Sequence, residues 1–467
     1  KGNDPVIIMR GAGAAGVNDI AVPIYIDGLY RPRPGQALAS YIDIERVEVL
    51  RGPQGTLFGR NTLGGLVNII ANKPSTQELD FGVAATVGDY DYRRFEGFVN
   101  IPLGDTFAAR LTASDTYQDP FVENSFDSGN GLKDEDNTYA RLQLLWAPSD
   151  TFDATLTATY WEDTANGNAD YAYKVLGIPV NPATGQTNGV NGVMQNRQGV
   201  TDGFGGGKEF TGVFPNNSTA GITSDPFEIS SDFEPYRDIE ETSFSALINW
   251  DLGFASLRAN LGVFDYEEYR LTDSDISANP TLHGRENGTY DGLCADPSWA
   301  AGGGSGVLWW YWDADTQQQC GIAAGQRVES SAVQADINLN STSDGNLQWT
   351  LGYFLYDDSD PGDTSSEFVY GYANSDTPQR PHWAHWMTAG YGGTKSQAIY
   401  GQAEYSFTER FRMTAGLRYS EDEREIYGGV VIPESRFDAW PSFTLNKDSV
   451  NKGDDDHTDW RLAAQYD

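Results

Sequence analysis

The sequence lacks several features that other classes of protein depend on. No stretch of its 467 residues approaches the ~18 consecutive apolar residues of a transmembrane helix. Basic residues are scarce, with 31 Lys and Arg against 67 Asp and Glu, so the net charge of −36 leaves no basic footprint for a nucleic acid. The four histidines stand in no Ser–His–Asp order with a nucleophile elbow. The sequence therefore indicates no enzyme, no cofactor and no nucleic-acid partner.

Cysteine is nearly absent as well. The two residues of this type, Cys294 and Cys320, fall in one inferred loop. Two cysteines in an oxidising compartment usually pair, so we predict a disulfide within that loop. Two free buried thiols are the alternative.

Alternating apolar and polar residues are abundant from residue 79 onward. Each run has the period of two that is typical of a β-strand with one face in an apolar environment. Twelve strands are predicted, near residues 79–88, 92–102, 107–114, 138–147, 152–160, 243–251, 254–266, 332–340, 346–356, 397–407, 411–419 and 459–467.

Short and long connections alternate between these predicted strands. Long segments are expected near 115–137, 162–238, 267–328, 357–395 and 421–457. This alternation is typical of an up-and-down antiparallel barrel in an outer membrane, with tight periplasmic turns and long outer loops. Aromatic residues near strand ends fit an interfacial girdle, although a soluble β-core is the alternative: Trp146, Tyr160, Trp250, Tyr405 and Tyr419.

Residues 44–74, IERVEVLRGPQGTLFGRNTLGGLVNIIANKP, combine two short strand-like runs with a cluster of glycines. This stretch resembles the plug signature of TonB-dependent outer-membrane receptors without a gap. Met9–Gly11 and Val22–Gly28 resemble earlier plug motifs, and Ser396–Ser420 resembles a barrel hairpin of the same family.

The resemblance implies a mainly β protein, with a plug domain of short mixed strands inside a transmembrane antiparallel up-and-down β-barrel. We expect the plug at residues 1–74 and the barrel, with its long extracellular loops, at 75–467. Barrels that hold a folded plug have about 22 strands. We therefore expect a partial chain, without the signal, the TonB box, the early plug and the C-terminal half of the barrel.

The resemblance also implies charge contacts between plug and barrel. The matching plug positions are Arg10, Glu45, Glu48, Arg51 and Arg60. Charged residues on the strands are expected to face the lumen, because the lipid face would cost them ~2–4 kcal/mol at bilayer depth. The lumen candidates are Arg94, Glu96, Arg110, Arg141, Arg258, Glu404, Arg412 and Arg418.

Aromatic clusters in two inferred outer loops are candidate ligand contacts. Their faces suit sugar rings, catecholates or porphyrins, although packing of each loop on its neighbours is an equally simple role. The residues are Trp309, Trp310, Tyr311, Trp312, His382, Trp383, His385, Trp386 and Tyr391. Two histidines without further ligands are weak evidence for a metal, so none is predicted.

By resemblance, the function is active import across the outer membrane of a Gram-negative bacterium, with TonB and its inner-membrane energising proteins as partners. A ferric siderophore is the first expectation for the ligand, and an oligosaccharide or other nutrient is the alternative. A passive porin or structural outer-membrane protein is the rival from another class. Outer-membrane lipid is expected to surround the barrel.

Overall fold

The fold comes from a computed structural model of the chain. The structure describes residues 7–13, 21–33, 35–36, 39, 41–52, 54–59, 61–124, 131–166, 227–229, 236–273, 285–286, 289–290, 323–343, 345–358, 365–368, 374–377, 380–382, 386–427 and 450–466. In this part of the chain, no helix is long and apolar enough to span a membrane.

A small mixed sheet forms near the N-terminus of the chain. Its strands are β1 (Ile24–Ile26), β2 (Leu29–Arg31), β3 (Ile44–Arg51) and β4 (Gly65–Ala71), in the order β2-β1-β4-β3. Strands β1 and β4 are parallel and the two outer pairs are antiparallel. Asp27 and Gly28 turn the chain between β1 and β2 with positive φ angles of 51° and 86°. The helix α1 (Gly55–Phe58) lies between β3 and β4. We call this unit the plug.

A much larger antiparallel sheet follows, and its strands pair in chain order. Its twelve strands within the described ranges are β5 (Asp80–Val87), β6 (Arg93–Pro102), β7 (Phe107–Gln118), β8 (Glu135–Ser149), β9 (Phe152–Asp163), β10 (Tyr236–Asp251), β11 (Ala255–Asp273), β12 (Ala323–Ser341), β13 (Leu347–Asp357), β14 (Trp386–Ser406), β15 (Phe411–Tyr427) and β16 (Val450–Tyr466). A further short strand, Ser365–Phe368, pairs with both β12 and β14. The predicted mainly β architecture of plug and antiparallel barrel strands is confirmed.

Several strands extend further than the sequence pattern predicts. The connection expected at 421–457 is wrong at both ends, because β15 continues to Tyr427 and β16 begins at Val450. Acidic residues such as Asp454–Asp456 therefore lie in a strand and not in a loop. Hydrogen bonding between neighbouring backbones carries the ladder past the last apolar side chain, where periodicity gives no signal.

The two faces of the large sheet differ sharply. On β7, Arg110, Thr112 and Ser114 are buried on the inner face, whereas Leu111 is 47 % exposed on the outer face. The outer face carries large apolar side chains on strand after strand, including Leu142, Leu144, Leu156, Phe244, Val263, Val333, Leu351, Ile399 and Leu417. This is the alternation of a barrel that turns an apolar face to lipid and a polar face to its lumen.

Short turns lie along one edge of the large sheet, at 103–106, 150–151, 252–254, 342–346 and 407–410. Aromatic rings form a row along this edge. Phe107 and Trp146 stack at 6.3 Å, Trp146 meets Phe152 at 5.4 Å, and Phe152 meets Trp250 at 6.1 Å between ring centroids. The row marks this edge as the periplasmic interface of the membrane.

The plug packs against the inner face of the large sheet. Tyr25, Tyr30 and Leu66 of the plug share one buried cluster with barrel residues such as Phe264 and Tyr356. The boundary between plug and barrel at residue 74 stays a prediction.

Candidate functional site at the plug–barrel interface

Asp43, directly before β3, is the centre of the densest polar contact between plug and barrel. Its carboxylate accepts hydrogen bonds from both Nε (2.7 Å) and Nη2 of Arg110 on β7. The Thr112 hydroxyl donates to it at 2.8 Å, and Arg141 Nη2 on β8 donates at 3.2 Å. Only 3 % of the Asp43 side chain is exposed. A bidentate arginine pair in a buried setting is among the strongest charge-assisted contacts.

The backbone at Asp43 is set for this contact. Its φ of 55° lies in the left-handed region, which aspartate tolerates better than most residues. Within the plug, the side-chain Nδ2 of Asn72 donates to the same carboxylate at 2.8 Å, and the backbone N–H of Asn72 donates to the Asp43 carbonyl. We call Asp43, Asn72, Arg110, Thr112 and Arg141 the Asp43 cluster.

The pKa of Asp43 reflects two opposing effects. Burial raises the pKa of the carboxyl group, because it disfavours the charged form. Hydrogen bonds from Arg110, Thr112 and Asn72, together with the charge of Arg110, outweigh burial and leave the pKa below its ordinary value. Asp43 is therefore ionised in the seated plug at neutral pH.

A second buried ion pair joins the plug to β10. Arg31 Nε lies 3.3 Å from Glu241 Oε1, and both side chains are almost fully buried. Gln36 Nε2 donates to the other carboxylate oxygen of Glu241 at 2.7 Å. The guanidinium of Arg31 also lies over the Phe264 ring, 5.2 Å from its centroid. Glu241 thus holds two plug residues at once.

Tyr30 and Arg33 extend the contact to β12 and β13. Gln334 accepts from the Tyr30 amide at 2.9 Å and donates to the Tyr30 carbonyl at 2.7 Å. The Tyr30 ring meets Tyr356 edge-on at 5.6 Å. Arg33 Nη2 lies 3.4 Å from Asp358 Oδ2, just after β13. The first plug hairpin is therefore bonded to the barrel through main chain and side chains.

Helix α1 packs against β14, β15 and β16. At its C-terminal end, Gly59 has a φ of 76°, and a Cβ there would lie 2.5 Å from Arg418 Nη2. Arg418 is fully buried, with its guanidinium 5.2 Å from the centroid of Phe354 and 5.3 Å from that of Tyr400. Its Nε donates to Ser420 Oγ at 3.0 Å. The absence of a side chain at Gly59 lets this barrel arginine touch the plug backbone.

A small enclosed cavity of about 30 Å³ lies between the Asp43 cluster and the Arg31–Glu241 pair, and Arg31, Tyr41, Arg141 and Glu241 contribute to its lining. Arg141 Nε is buried and has no hydrogen-bond partner among the described residues. The cavity has room for about two waters, since one occupies ~10–15 Å³ of such volume. The seam between plug and barrel is therefore polar here.

Three of the plug residues predicted from the family resemblance, Arg10, Glu45 and Glu48, have described contacts within the plug. Arg46 pairs with both Glu48 (2.8 Å) and Glu45 (2.5 Å) on an exposed part of the plug. Hydrogen bonds from Arg46 and Asn68 lower the pKa of Glu48. Arg10 is exposed and lies beside Gly52 within the plug. These hydrogen bonds and ion pairs are internal to the plug, and the charge of Arg258 on β11 also lowers the pKa of Glu48. The predicted contacts of these plug residues with the barrel stay predictions.

Arg51 ends β3 with an exposed side chain, and Arg60 lies outside the described residues. Of the predicted lumen arginines, Arg110, Arg141 and Arg418 do meet the plug. Arg94 pairs instead with Glu96 on its own strand at 2.5 Å, and Arg412 donates to Gln465 on β16 at 3.1 Å.

Most predicted ligand and disulfide residues lie outside the described residues: Cys294, Trp309, Trp310, Tyr311, Trp312, Cys320, Trp383 and His385. The backbone of His382 belongs to a short strand, Arg380–His382, that pairs with Asn374–Thr377. The backbones of Trp386 and Tyr391 belong to β14. Their proposed roles in ligand contact stay predictions.

Asp43, Arg31 and Glu241 are functional candidates that sequence reasoning missed. Asp43 stands one residue before the glycine-rich signature. The inner faces of β7 and β8 bury Arg110 and Arg141. A buried charge is costly without a partner of opposite sign, so these two arginines were the available signal. In the described part of the chain, no group of His, Cys, Asp and Glu residues is arranged to hold a metal ion.

A folded plug packed against the inner face of membrane-spanning antiparallel strands defines the class of plugged outer-membrane β-barrels. The TonB-dependent Receptor Plug Domain family matches residues 1–66. The catecholate siderophore receptor Fiu of Escherichia coli K12 is 37 % identical over 107 residues, which is 22 % of this chain and 13 % of Fiu. The pesticin receptor of Yersinia enterocolitica is 37 % identical over 71 residues, 15 % of this chain and 10 % of that receptor.

Solved structures show the same fold. The ferric yersiniabactin uptake receptor FyuA of Yersinia pestis superposes with a TM-score of 0.64 at 15 % identity, over 99 % of this chain and 56 % of that one. The open form of Fiu gives 0.60 at 16 % identity, over 99 % and 62 %. The present chain thus spans little more than half of these receptors. It contains a TonB-dependent receptor plug domain at residues 1–66 and shares the barrel fold of receptors of the Gram-negative outer membrane.

Proposed function

We propose that the protein imports a ferric siderophore across the outer membrane, driven by TonB. The observation that carries this proposal is the buried Asp43 cluster, which fixes a folded plug to the barrel wall through charged groups. A passive porin has no use for such a plug. Fiu, one of the sequence relatives, is a catecholate siderophore receptor by name, which favours a ferric siderophore as the ligand class.

The chemistry of the interface supports a plug that moves. Buried ion pairs contribute little net stability compared with apolar packing, because desolvation offsets much of their attraction. Once water enters, the separated charges are solvated again at little cost. The Asp43–Arg110 and Arg31–Glu241 pairs therefore hold the plug while the interface excludes water. They let it separate from the barrel once water enters, as an energised import step requires.

Uptake of radiolabelled iron tests the proposal directly. The full-length receptor is expressed in cells that lack their own siderophore receptors, and ferric catecholate uptake is measured with and without a functional TonB. We expect uptake that requires both the receptor and TonB.

The control is the same strain carrying the empty vector. Binding and uptake of labelled oligosaccharides in place of ferric siderophores would move the assignment to the nutrient alternative. Uptake that persists without TonB would support a passive pore and overturn the proposal.

A further inference from the structure

A shallow groove of about 340 Å³ crosses the outer face of β13, β14 and β15. Its floor consists of small residues, since Gly401 lies between Leu351 and Leu417 in the strand register. One step nearer the short turns, Ala403 lies between Trp349 and Ala415 in the same way. Trp349, Leu351 and Leu417 thus stand as walls above a floor of Gly401, Ala403 and Ala415.

The groove belongs to the lipid-facing surface. Leu351 and Leu417 are 55 % and 57 % exposed, whereas Phe354 and Tyr356, on the opposite face of β13, are buried against the plug side. All three strands have neighbours on both sides in the sheet, so the groove is not a strand edge. It is continuous with the apolar outer band formed by Ile399 and the other outward side chains.

Its depth in the membrane identifies the leaflet. Trp349 lies two residues from Leu347, the first residue of β13 after a short turn, and Leu351 lies four residues from it. At ~3.4 Å per residue on strands tilted by ~35–45°, the groove lies roughly 5–11 Å from the periplasmic edge along the membrane normal. The apolar band of such barrels is ~25 Å tall, so this is its periplasmic half. That half contacts the inner leaflet, which consists of phospholipid.

The volume suits a hydrocarbon chain. At the ~10–15 Å³ that one water-sized group takes up by the measure used for the small cavity, the groove has room for roughly 23–34 such groups, enough for one hydrocarbon chain. Lipid tails are as apolar as leucine, so the hydrophobic effect does not select the occupant; van der Waals contact does. Small floor residues beneath taller side chains leave a trough in which a lipid chain gains van der Waals contacts with both walls.

We infer that this groove binds one acyl chain of an inner-leaflet phospholipid, with the chain lying between Leu351 and Leu417 and its headgroup end near Trp349. The site is independent of the transported ligand, because its residues face away from the plug. It gives the receptor an ordered lipid at a fixed point on its circumference.

Photo-crosslinking tests the inference. The full-length receptor is placed in phosphatidylethanolamine nanodiscs that contain a trace of phosphatidylethanolamine with a diazirine in the middle of one acyl chain, and crosslinked peptides are mapped by mass spectrometry. We expect crosslinks to concentrate around Leu351, Gly401 and Leu417. A diazirine close to the headgroup should shift them toward Leu347 and Trp349.

Two variants sharpen the test. Ala403→Leu fills the floor and is expected to reduce crosslinking at the groove several-fold. Ala113→Leu adds the same atoms to the outer face of β7, away from the groove, and should leave crosslinking at the groove unchanged. Crosslinks spread evenly over the lipid-facing band of the unmodified receptor, or crosslinks at the groove that survive Ala403→Leu in a folded barrel, would overturn the inference.

Discussion

At Asp43, one carboxylate accepts hydrogen bonds from two barrel side chains on β7, from one on β8 and from Asn72 within the plug. Two arginines surround a single acid, so the cluster carries a net positive charge when Asp43 is ionised. Removing the acid would therefore leave two cations buried without an anion among the described contacts.

Asp43→Asn should loosen the plug severely. The amide nearly preserves the shape but removes the charge, and breaking a buried pair from one side costs ~3–5 kcal/mol. We expect faster hydrogen exchange in β3 and β4, measured on the receptor in detergent. Asp105→Asn, in an exposed turn, is the matched control and should leave exchange unchanged. Equal exchange in both variants would show that the cluster does not hold the plug.

The lowered pKa of Asp43 also predicts a pH dependence. A carboxyl group whose pKa is lower in the folded state stabilises that state above its unfolded pKa, and this contribution is lost as the pH falls through the folded pKa. Protection of the plug strands should thus decline in acid. Asp43→Asn should remove this part of the decline. A decline of the same size in the variant would assign the pH dependence to other carboxyl groups.

Among the structural elements, helix α1 shows how a short motif depends on its surroundings. The glycines around it look like turn residues in the sequence, and that interpretation is correct for the positive φ of Gly59. The need for space beside Arg418 is invisible in the sequence, because the two residues lie more than 350 positions apart. Local pattern therefore predicts the conformation of this element but not its contact.

Gly59→Ala should displace α1 from β15. The new Cβ would meet the Arg418 guanidinium, and overpacking of this kind costs ~1–3 kcal/mol beyond the penalty for a left-handed alanine. Gly104→Ala is the control, since Gly104 has a φ of 119° and open space around it. The unfolding temperature of the plug, monitored by limited proteolysis, should fall more for Gly59→Ala than for Gly104→Ala. Adding Arg418→Ala to Gly59→Ala should remove this difference. Equal shifts would mean that the Arg418 side chain moves away from the new Cβ without a loss of stability.

For the molecule as a whole, the sequence predicted the barrel strands but did not single out Asp43 or Glu241 as contacts between plug and barrel. Side chains of a barrel strand face lipid and lumen in turn, so apolar and polar residues alternate with a period of two. This pattern predicted the positions of the strands and the order of the short turns. Contact between plug and barrel has no period. It depends on residues such as Asp43 and Glu241, each of which meets its partners only after the sheet has curved. From the sequence alone, Glu45 and Glu48 were equally plausible contact residues.

The lipid-facing surface allows a prediction about the stability of the entire barrel. Leu156 is 56 % exposed near the middle of the outer face of β9. Leu156→Arg should lower the free energy of unfolding in bilayers by ~2–4 kcal/mol, because the charge sits at bilayer depth. Denaturant titration of refolding into vesicles measures it. Phe152→Arg, at the interfacial end of the same strand, should cost less. Equal costs would contradict the assigned membrane depth.

The contacts of the plug also order its assembly in time. Asp43 meets Arg110 across 67 positions of the chain, whereas Tyr30 meets Gln334 across 304. The entropy of closing a loop rises with its length, so the nearer contact forms at lower cost. We expect the plug to be tethered first at the Asp43 cluster, its first hairpin to dock once β12 has joined the sheet, and helix α1 to dock last, against β14 to β16. A chain arrested before β12 would then carry a half-docked plug, which is the state that a quality-control protease would meet first.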